Sequence, residues 1–157
     1  MLGVASQVFA SQGVEIAGKV SGIHWQYKTV QHAAECTGGY YNTNGNNAYT
    51  GIAQVFKKHG ASLCFTCLEM FDSDQCASCG PQELVKQVRG AASQVGVPFE
   101  GENALPIYDS RHYNQIAYQS RTPNDAADFT YLRLSDTMLN QYNFPAFQSF
   151  VSQMHSE

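Results

Sequence analysis

Ala61-Ser62-Leu63-Cys64-Phe65-Thr66-Cys67-Leu68 is a near-continuous apolar run, and Gly80-Pro81-Gln82-Glu83-Leu84-Val85 opens an amphipathic stretch shortly after it. The run reads as a strand buried on both faces, as in parallel sheets covered by helices. In the second stretch proline takes the first helical position, and Glu83 falls in the first turn near the positive end of the helix dipole. Leu84, Val85, Val88, Ala91, Ala92 and Val95 lie on one stripe at helical spacing, and Gly96 ends the helix. Val97 to Glu102 follows as a strand, with Pro98 near its start, where a missing N–H is tolerated. Strand, helix and strand in this order make a βαβ unit, which implies a parallel sheet.

The alternation extends in both directions. Upstream, a helix ends near Gly13, and Val14 to Val20 reads as a short strand. A polar stretch rich in Gly and Asn runs from Thr37 to Asn47. Ile52, Ala53, Val55 and Phe56 then give a helical face that stops at His59-Gly60. Downstream, Asp109 or Ser110 caps a helix containing Tyr113, Ile116 and Ala117. Phe129 to Leu134 is the next strand, and Phe144, Phe147, Phe150, Val151 and Met154 line a last helix. The predicted order is α-βα-βα-βα-βα. No low-complexity segment or linker divides the 157 residues, so they form one domain. Lys19 and His24, Thr66 and Glu69, Glu102 and Asn103, Arg133 and Asp136 all sit at or just beyond strand carboxyl ends. In open α/β sheets and (β/α) barrels that edge carries the ligand.

Charged residues make up only 14%, and Asn plus Gln, at 23, outnumber them by one. Such a surface offers neutral hydrogen-bonding groups, suited to a hydroxyl-rich ligand. A net charge of −4 argues against nucleic acid and anionic membranes as partners. No apolar run approaches the roughly 20 residues of a membrane span, and the opening residues lack the basic and apolar regions of a secretory signal. GxGxxG, GxxxxGK[ST] and GxSxG motifs are missing, so nucleotide binding and a hydrolase serine lack support. Five cysteines without secretory context read as reduced thiols. Cys64, Cys67, Cys76 and Cys79 form CxxC-x8-CxxC, a superficial zinc pattern. Cys64 and Cys67 stand three apart on a strand, on opposite faces, which opposes a shared metal. Glu100 and Glu102 are about 6.6 Å apart along a strand, but they project side by side, so they do not flank a sugar ring as an inverting pair must. Glu102 alone is the better candidate base. His24 beside Trp25 and Tyr27 suits a sugar-binding edge, or an ordinary aromatic cluster.

Taken together, the motifs resemble one family. Lys19-Val20-Ser21-Gly22-Ile23-His24-Trp25, Tyr27-Lys28-Thr29, His32-Ala33-Ala34-Glu35 and Gly39-Tyr40-Tyr41-Asn42 resemble the β-amylases. So do Phe65-Thr66-Cys67-Leu68-Glu69-Met70, Gly80-Pro81-Gln82-Glu83-Leu84-Val85, Gly101-Glu102-Asn103-Ala104-Leu105-Pro106 and Thr130-Tyr131-Leu132-Arg133-Leu134-Ser135-Asp136. These blocks run in order over essentially the whole chain.

The resemblance implies a (β/α)8 TIM barrel with no metal and no cofactor, hydrolysing α-1,4-glucosidic bonds of starch with inversion and releasing maltose from non-reducing ends. Glu102 matches the general base that activates water. Lys19 and His24 match substrate-binding residues, as do Asn103, Ala104 and Arg133, and Leu105 packs on sugar carbon faces. Thr66 matches a threonine on a mobile inner loop that contacts sugar and steadies the spent catalytic acid. No motif here matches that acid. A whole barrel takes at least about 200 residues, so residues 1–157 read as a single partial catalytic domain, the C-terminal half of the barrel in about four βα units. Starch or maltooligosaccharide is the expected partner, with the missing N-terminal half, or self-association, covering the open edges. The isolated chain is then expected to be inactive, and a non-catalytic glucan-binding or regulatory homologue is the alternative. The family occupies cytosol and plastids, so cytoplasm or plastid is expected. Three departures stand out: Gln26 replaces a second tryptophan, Glu100 replaces a small residue beside the base, and the segment between Arg121 and Phe129 is short.

Overall fold

A computed structural model describes residues 1–9, 11–29, 47–121 and 128–155. Its centre is β2 (Ala61–Phe65), buried along its whole length. The sheet continues to β1 (Ile16–Val20) on one side and to β3 (Phe99–Glu102) and β4 (Asp128–Thr130) on the other, all parallel and in chain order. Between successive strands run α2 (Ala48–Lys58), α3 (Pro81–Val95) and α4 (Ser110–Ser120); α1 (Leu2–Phe9) precedes β1, and α5 (Asp136–Leu139) and α6 (Phe144–His155) follow β4. Because each crossover steps to the next strand in one direction, right-handed connections put α2, α3 and α4 on the same face. That is the singly wound wall of a barrel. A doubly wound sheet would reverse direction.

The register sorts the side chains by face. Val20, Phe65, Gly101 and Phe129 are successive partners across the sheet, and this row meets the helices. Gly18 lies on the same face; a Cβ there would come within 2.5 Å of Phe56 of α2 and 3.3 Å of Leu2 of α1. Gly101 similarly leaves room for Leu68, whose Cδ2 would lie 2.2 Å from an added Cβ. The alternate row, Lys19, Cys64, Glu100 and Asp128, faces the other way, into the barrel. Tyr49, Phe65, Leu84, Val88, Tyr113 and Ile116, each at most 1% exposed, fill the core between sheet and helices.

Local chemistry sets the boundaries. Pro81 opens α3, and Gly96, at φ 73°, closes it. The Val97 N–H bonds to Ala92 O at 3.0 Å, so Val97 still belongs to that cap and β3 starts later than its pattern suggests. Asp109 is the cap of α4, its carboxylate accepting from His112 N–H at 3.0 Å. β2 stops at Phe65 although the apolar run continues, because Cys67 adopts φ 61° and turns the chain. β4 stops at Thr130 rather than Leu134: Leu132 N–H bonds to Asn103 Oδ1 at 2.7 Å instead of a strand, and Arg133 takes φ 67°. The pattern gave no sign of α5 or of the single 3-10 turn at Asp72–Asp74.

The cysteines correct a further expectation. Cys76 and Cys79 are not reduced thiols but a disulfide. The three-residue spacing falls on a turn, closed by Cys79 N–H to Cys76 O at 2.9 Å, and brings the Cα atoms to 5.0 Å, within disulfide reach. Cys64 and Cys67 remain free and buried. The His32–Glu35 and Gly39–Asn42 blocks, Cys36 and the short segment after Arg121 lie outside the described residues.

Candidate active site

Glu102 ends β3 and is 6% exposed. A bare carboxylate is costly to bury, and Lys19 of β1 supplies the counter-charge through an ion pair to Glu102 Oε1. The two strands are not neighbours. Lys19 reaches past β2 in front of its partner Cys64, whose small side chain leaves the path open. Burial, aided by the charges of Glu102 and Glu100, pushes the Cys64 thiol up to about 11, so it stays protonated beside the pair. Glu100 shares the inward face with Glu102, two residues nearer the strand's start.

The loops beyond the strands are bolted to one another by side-chain to main-chain bonds. Glu69, 2% exposed, accepts from Ala104 N–H at 3.0 Å and Leu105 N–H at 2.6 Å. Burial raises its carboxyl above the ordinary glutamate range, while the bonds from Leu105 and Ala104 pull the other way. Asn103 is fully buried; its amide donates to Leu105 O and Leu132 O at 2.9 Å each. Arg133 Nε donates to Ala104 O at 2.8 Å. Leu68 N–H bonds to Glu102 O at 3.3 Å, which fixes the loop after β2 against the main chain at the end of β3. The sequence placed Glu69 at a strand end without a role. Its function as a pin depends on contacts 35 and 36 residues away, for which the chain carries no local signal.

The remaining candidates fall around this frame. Thr66 follows Phe65, which pairs with Gly101, so it stands level with Glu102 on the next strand. Gly22 packs so close to this loop that a Cβ would lie 2.8 Å from Thr66 Cγ2 and 3.0 Å from Cys67 Sγ. His24, 4% exposed, points Nδ1 at Gly22 O at 3.0 Å and stacks on Trp25 at 4.6 Å between centroids. Burial lowers its pKa, which favours neutral imidazole. The Leu105 side chain is exposed and free to meet an apolar ligand face. Lys19, Thr66, Glu102, Ala104 and Arg133 thus gather at one edge. The side-chain amide of Asn103 is instead engaged with main chain. Among the described residues, no group of three or more His, Cys, Asp or Glu is placed to hold a metal ion.

Parallel strands in chain order, helices packed against them and a braced carboxylate at the strands' carboxyl ends define part of a (β/α) barrel. The chain matches glycosyl hydrolase family 14 over residues 1–157 and belongs to that family. It is 46% identical over 168 aligned residues to the beta-amylase of Vigna unguiculata, covering 100% of this chain and 34% of that protein. Against the chloroplastic beta-amylase 2 of Arabidopsis thaliana it is 44% identical, covering 94% of this chain and 29% of the other. The catalytic domain of the beta-amylase from Paenibacillus polymyxa superposes with a TM-score of 0.80 at 30% identity, covering 99% of this chain and 38% of that one. The chain is therefore part of a β-amylase-type TIM barrel and spans about a third of the length of the relatives it matches. No helix among the described residues is long and apolar enough to cross a membrane.

Proposed function

We propose that this chain supplies the base-bearing side of an inverting α-1,4-glucan hydrolysis that releases maltose from non-reducing ends of starch. The observation that carries this reading is Glu102: a buried carboxylate at a strand's carboxyl end, held in place by Lys19, in a chain of this family. Glu102 accepts a proton from water as that water attacks the anomeric carbon. Lys19 and the main chain of the Asn103–Leu105 loop fix its orientation. Thr66, His24, Arg133 and the exposed face of Leu105 contact the glucan. Residues 1–157 act as a single partial catalytic domain, at work in cytoplasm or plastid.

The leaving oxygen needs an acid on the opposite face of the sugar. Glu100 shares the face of Glu102, and Glu69 is committed to Ala104 and Leu105, so neither serves. The acid comes from a barrel segment outside these residues, and these residues alone do not turn over starch. The test is to follow maltose release from maltoheptaose by NMR, with the chain alone and then combined with the preceding barrel segment of a β-amylase relative. Activity is expected only in combination. Glu102→Gln there lowers turnover by roughly 10²–10⁴-fold while sparing glucan binding, since the amide keeps the shape but takes no proton. Rapid turnover by the isolated chain, or near-normal turnover by the variant, sinks the assignment.

A further inference from the structure

We propose that Cys76 and Cys79 form a thiol–disulfide exchange site, reduced by a small or protein dithiol, and that its state controls the order of the His24–Thr29 turn. The inference goes beyond the hydrolysis proposed above, and none of its readouts needs a glucan.

The four described cysteines divide sharply. Cys64 and Cys67 are free, buried and held protonated, so neither is a ready nucleophile. Cys76 and Cys79 are bonded to each other, with Cys76 exposed and Cys79 only 2% exposed. An incoming thiolate therefore reaches Sγ of Cys76. The sulfur that departs is that of Cys79, which immediately precedes Gly80, the N-cap of the 15-residue helix α3. The positive end of that helix favours the departing thiolate. The exchange balances as a two-electron step. A thiolate of the reductant bonds to Sγ of Cys76, the Sγ–Sγ bond breaks with its electron pair on Cys79, and Cys79 takes a proton. The second thiol of the reductant then displaces Cys76, leaving one oxidised dithiol and two protein thiols.

The bridged turn is also the seat of the turn after β1. Lys28 N–H donates to Ser78 O at 3.0 Å, and Gly80 N–H donates to His24 O at 3.0 Å. Ser78 Oγ donates to Trp25 O at 2.9 Å. The ring of Tyr27 sits so close to Gly80 that a Cβ there would lie 2.5 Å from its Cδ1. Each of these contacts uses a residue inside or next to the four-residue loop that the disulfide closes. Opening the bridge widens the conformations open to Ser78 and Gly80, and the bonds that hold His24, Trp25 and Lys28 are lost first.

The experiment uses the full chain with Cys36→Ser as background, oxidised in air. It is treated in the native state with graded ratios of reduced to oxidised dithiothreitol. Free thiols are trapped with a maleimide and mapped by mass spectrometry, and amide hydrogen exchange is read on the same samples. Cys76 and Cys79 are expected to label together, only after reduction, while Cys64 and Cys67 stay unlabelled. Exchange at the amides of Lys28 and Gly80 should accelerate by about tenfold or more on reduction, with the middle of α3 unchanged. Emission from Trp25, the chain's one tryptophan, should follow the same midpoint. Cys76→Ser should show the fast exchange at every ratio; should it fail to fold, the reduction series of the parent decides alone. Free Cys76 and Cys79 in the air-oxidised chain, or a bridge untouched by dithiothreitol until the chain is denatured, overturns the exchange site. Full reduction with unchanged exchange at Lys28 and Gly80 overturns the coupling.

Discussion

The residues at this edge differ in what they lend to a ligand. Glu102 offers a carboxylate and Arg133 the rest of its guanidinium, whereas Asn103 and Glu69 are turned inward to hold the main chain. Glu69 carries a consequence for pH. Burial raises its carboxyl above the unfolded value, so the folded chain binds that proton more tightly than the unfolded chain does. Its contribution to stability is then fully present on the acid side of the ordinary glutamate range and is lost as pH rises through the raised folded value. His24 works in the opposite sense: burial lowers its pKa, so protonating it at low pH opposes folding. Glu69→Gln separates the two, since the amide mimics the protonated acid at every pH. The stability of the variant relative to the parent should improve as pH rises above the ordinary glutamate range, read as the difference in urea midpoints. A difference that does not change with pH would show that the N–H donors cancel the effect of burial, and one that worsens as pH rises would show that they outweigh it.

At the scale of elements, what was legible followed from local rules. The apolar run of β2, the proline and glycine that bound α3, and the Asp109 cap are written within a few residues of where they act, and the structure shows each of them. The ends of β2 and β4 were not legible. They depend on Cys67 and Arg133 taking positive φ and on Asn103 capturing Leu132 from 29 residues away. The disulfide was not legible because five cysteines without secretory context point to reduced thiols, and nothing local shows that Cys76 and Cys79 close a turn on one another. In the site, the placement of Lys19, Thr66 and Glu102 at strand carboxyl ends was legible; the contacts of Glu69 and of the amide of Asn103 needed the folded loops. Packing between elements gives a sharper test at Gly101, a strand position with no turn to make. Gly101→Ala sets a methyl 2.2 Å from Leu68 Cδ2 and 3.0 Å from Phe129 Cδ2. Leu68 is fully buried and has nowhere to swing. The change should cost about 1–3 kcal/mol by overpacking, measured by denaturant unfolding. It should also weaken glucan binding, since Leu68 N–H is tied to Glu102 O. A neutral substitution would mean that the loop after β2 is softer than its packing implies.

For the whole molecule, the sheet's chain order decides how this stretch behaves when made by itself. β1 and β4 each have one strand neighbour among the described residues, and among those residues no strand pairs with the far side of either. The inward face carries Lys19, Glu100, Glu102 and Asp128, with Cys64 between them. It is too polar to act as an ordinary hydrophobic interface, and its three carboxylates against one ammonium repel a copy laid face to face. The edges are different. β1 runs through Ile16, Gly18 and Val20 with no proline, and unpaired parallel edges of this kind template further strands. Pairing edge to edge therefore wins over stacking face to face. The 157-residue chain made alone should form dimers or larger species through its edges, seen by size-exclusion chromatography with light scattering. Ala17→Pro tests the route. Proline removes one edge N–H from β1, and Ala17 already pairs with Ser62 on its inner side. If its N–H faces the open edge, association drops with little loss of stability. If it serves β2, the sheet itself weakens, and thermal unfolding reports that directly. Adding the preceding barrel segment of a β-amylase relative should dissolve the oligomers, because it occupies the same edges. A well-folded monomer at high concentration would show instead that helices or the undescribed segments already cover β1 and β4, and that the barrel wall is stable without its other half.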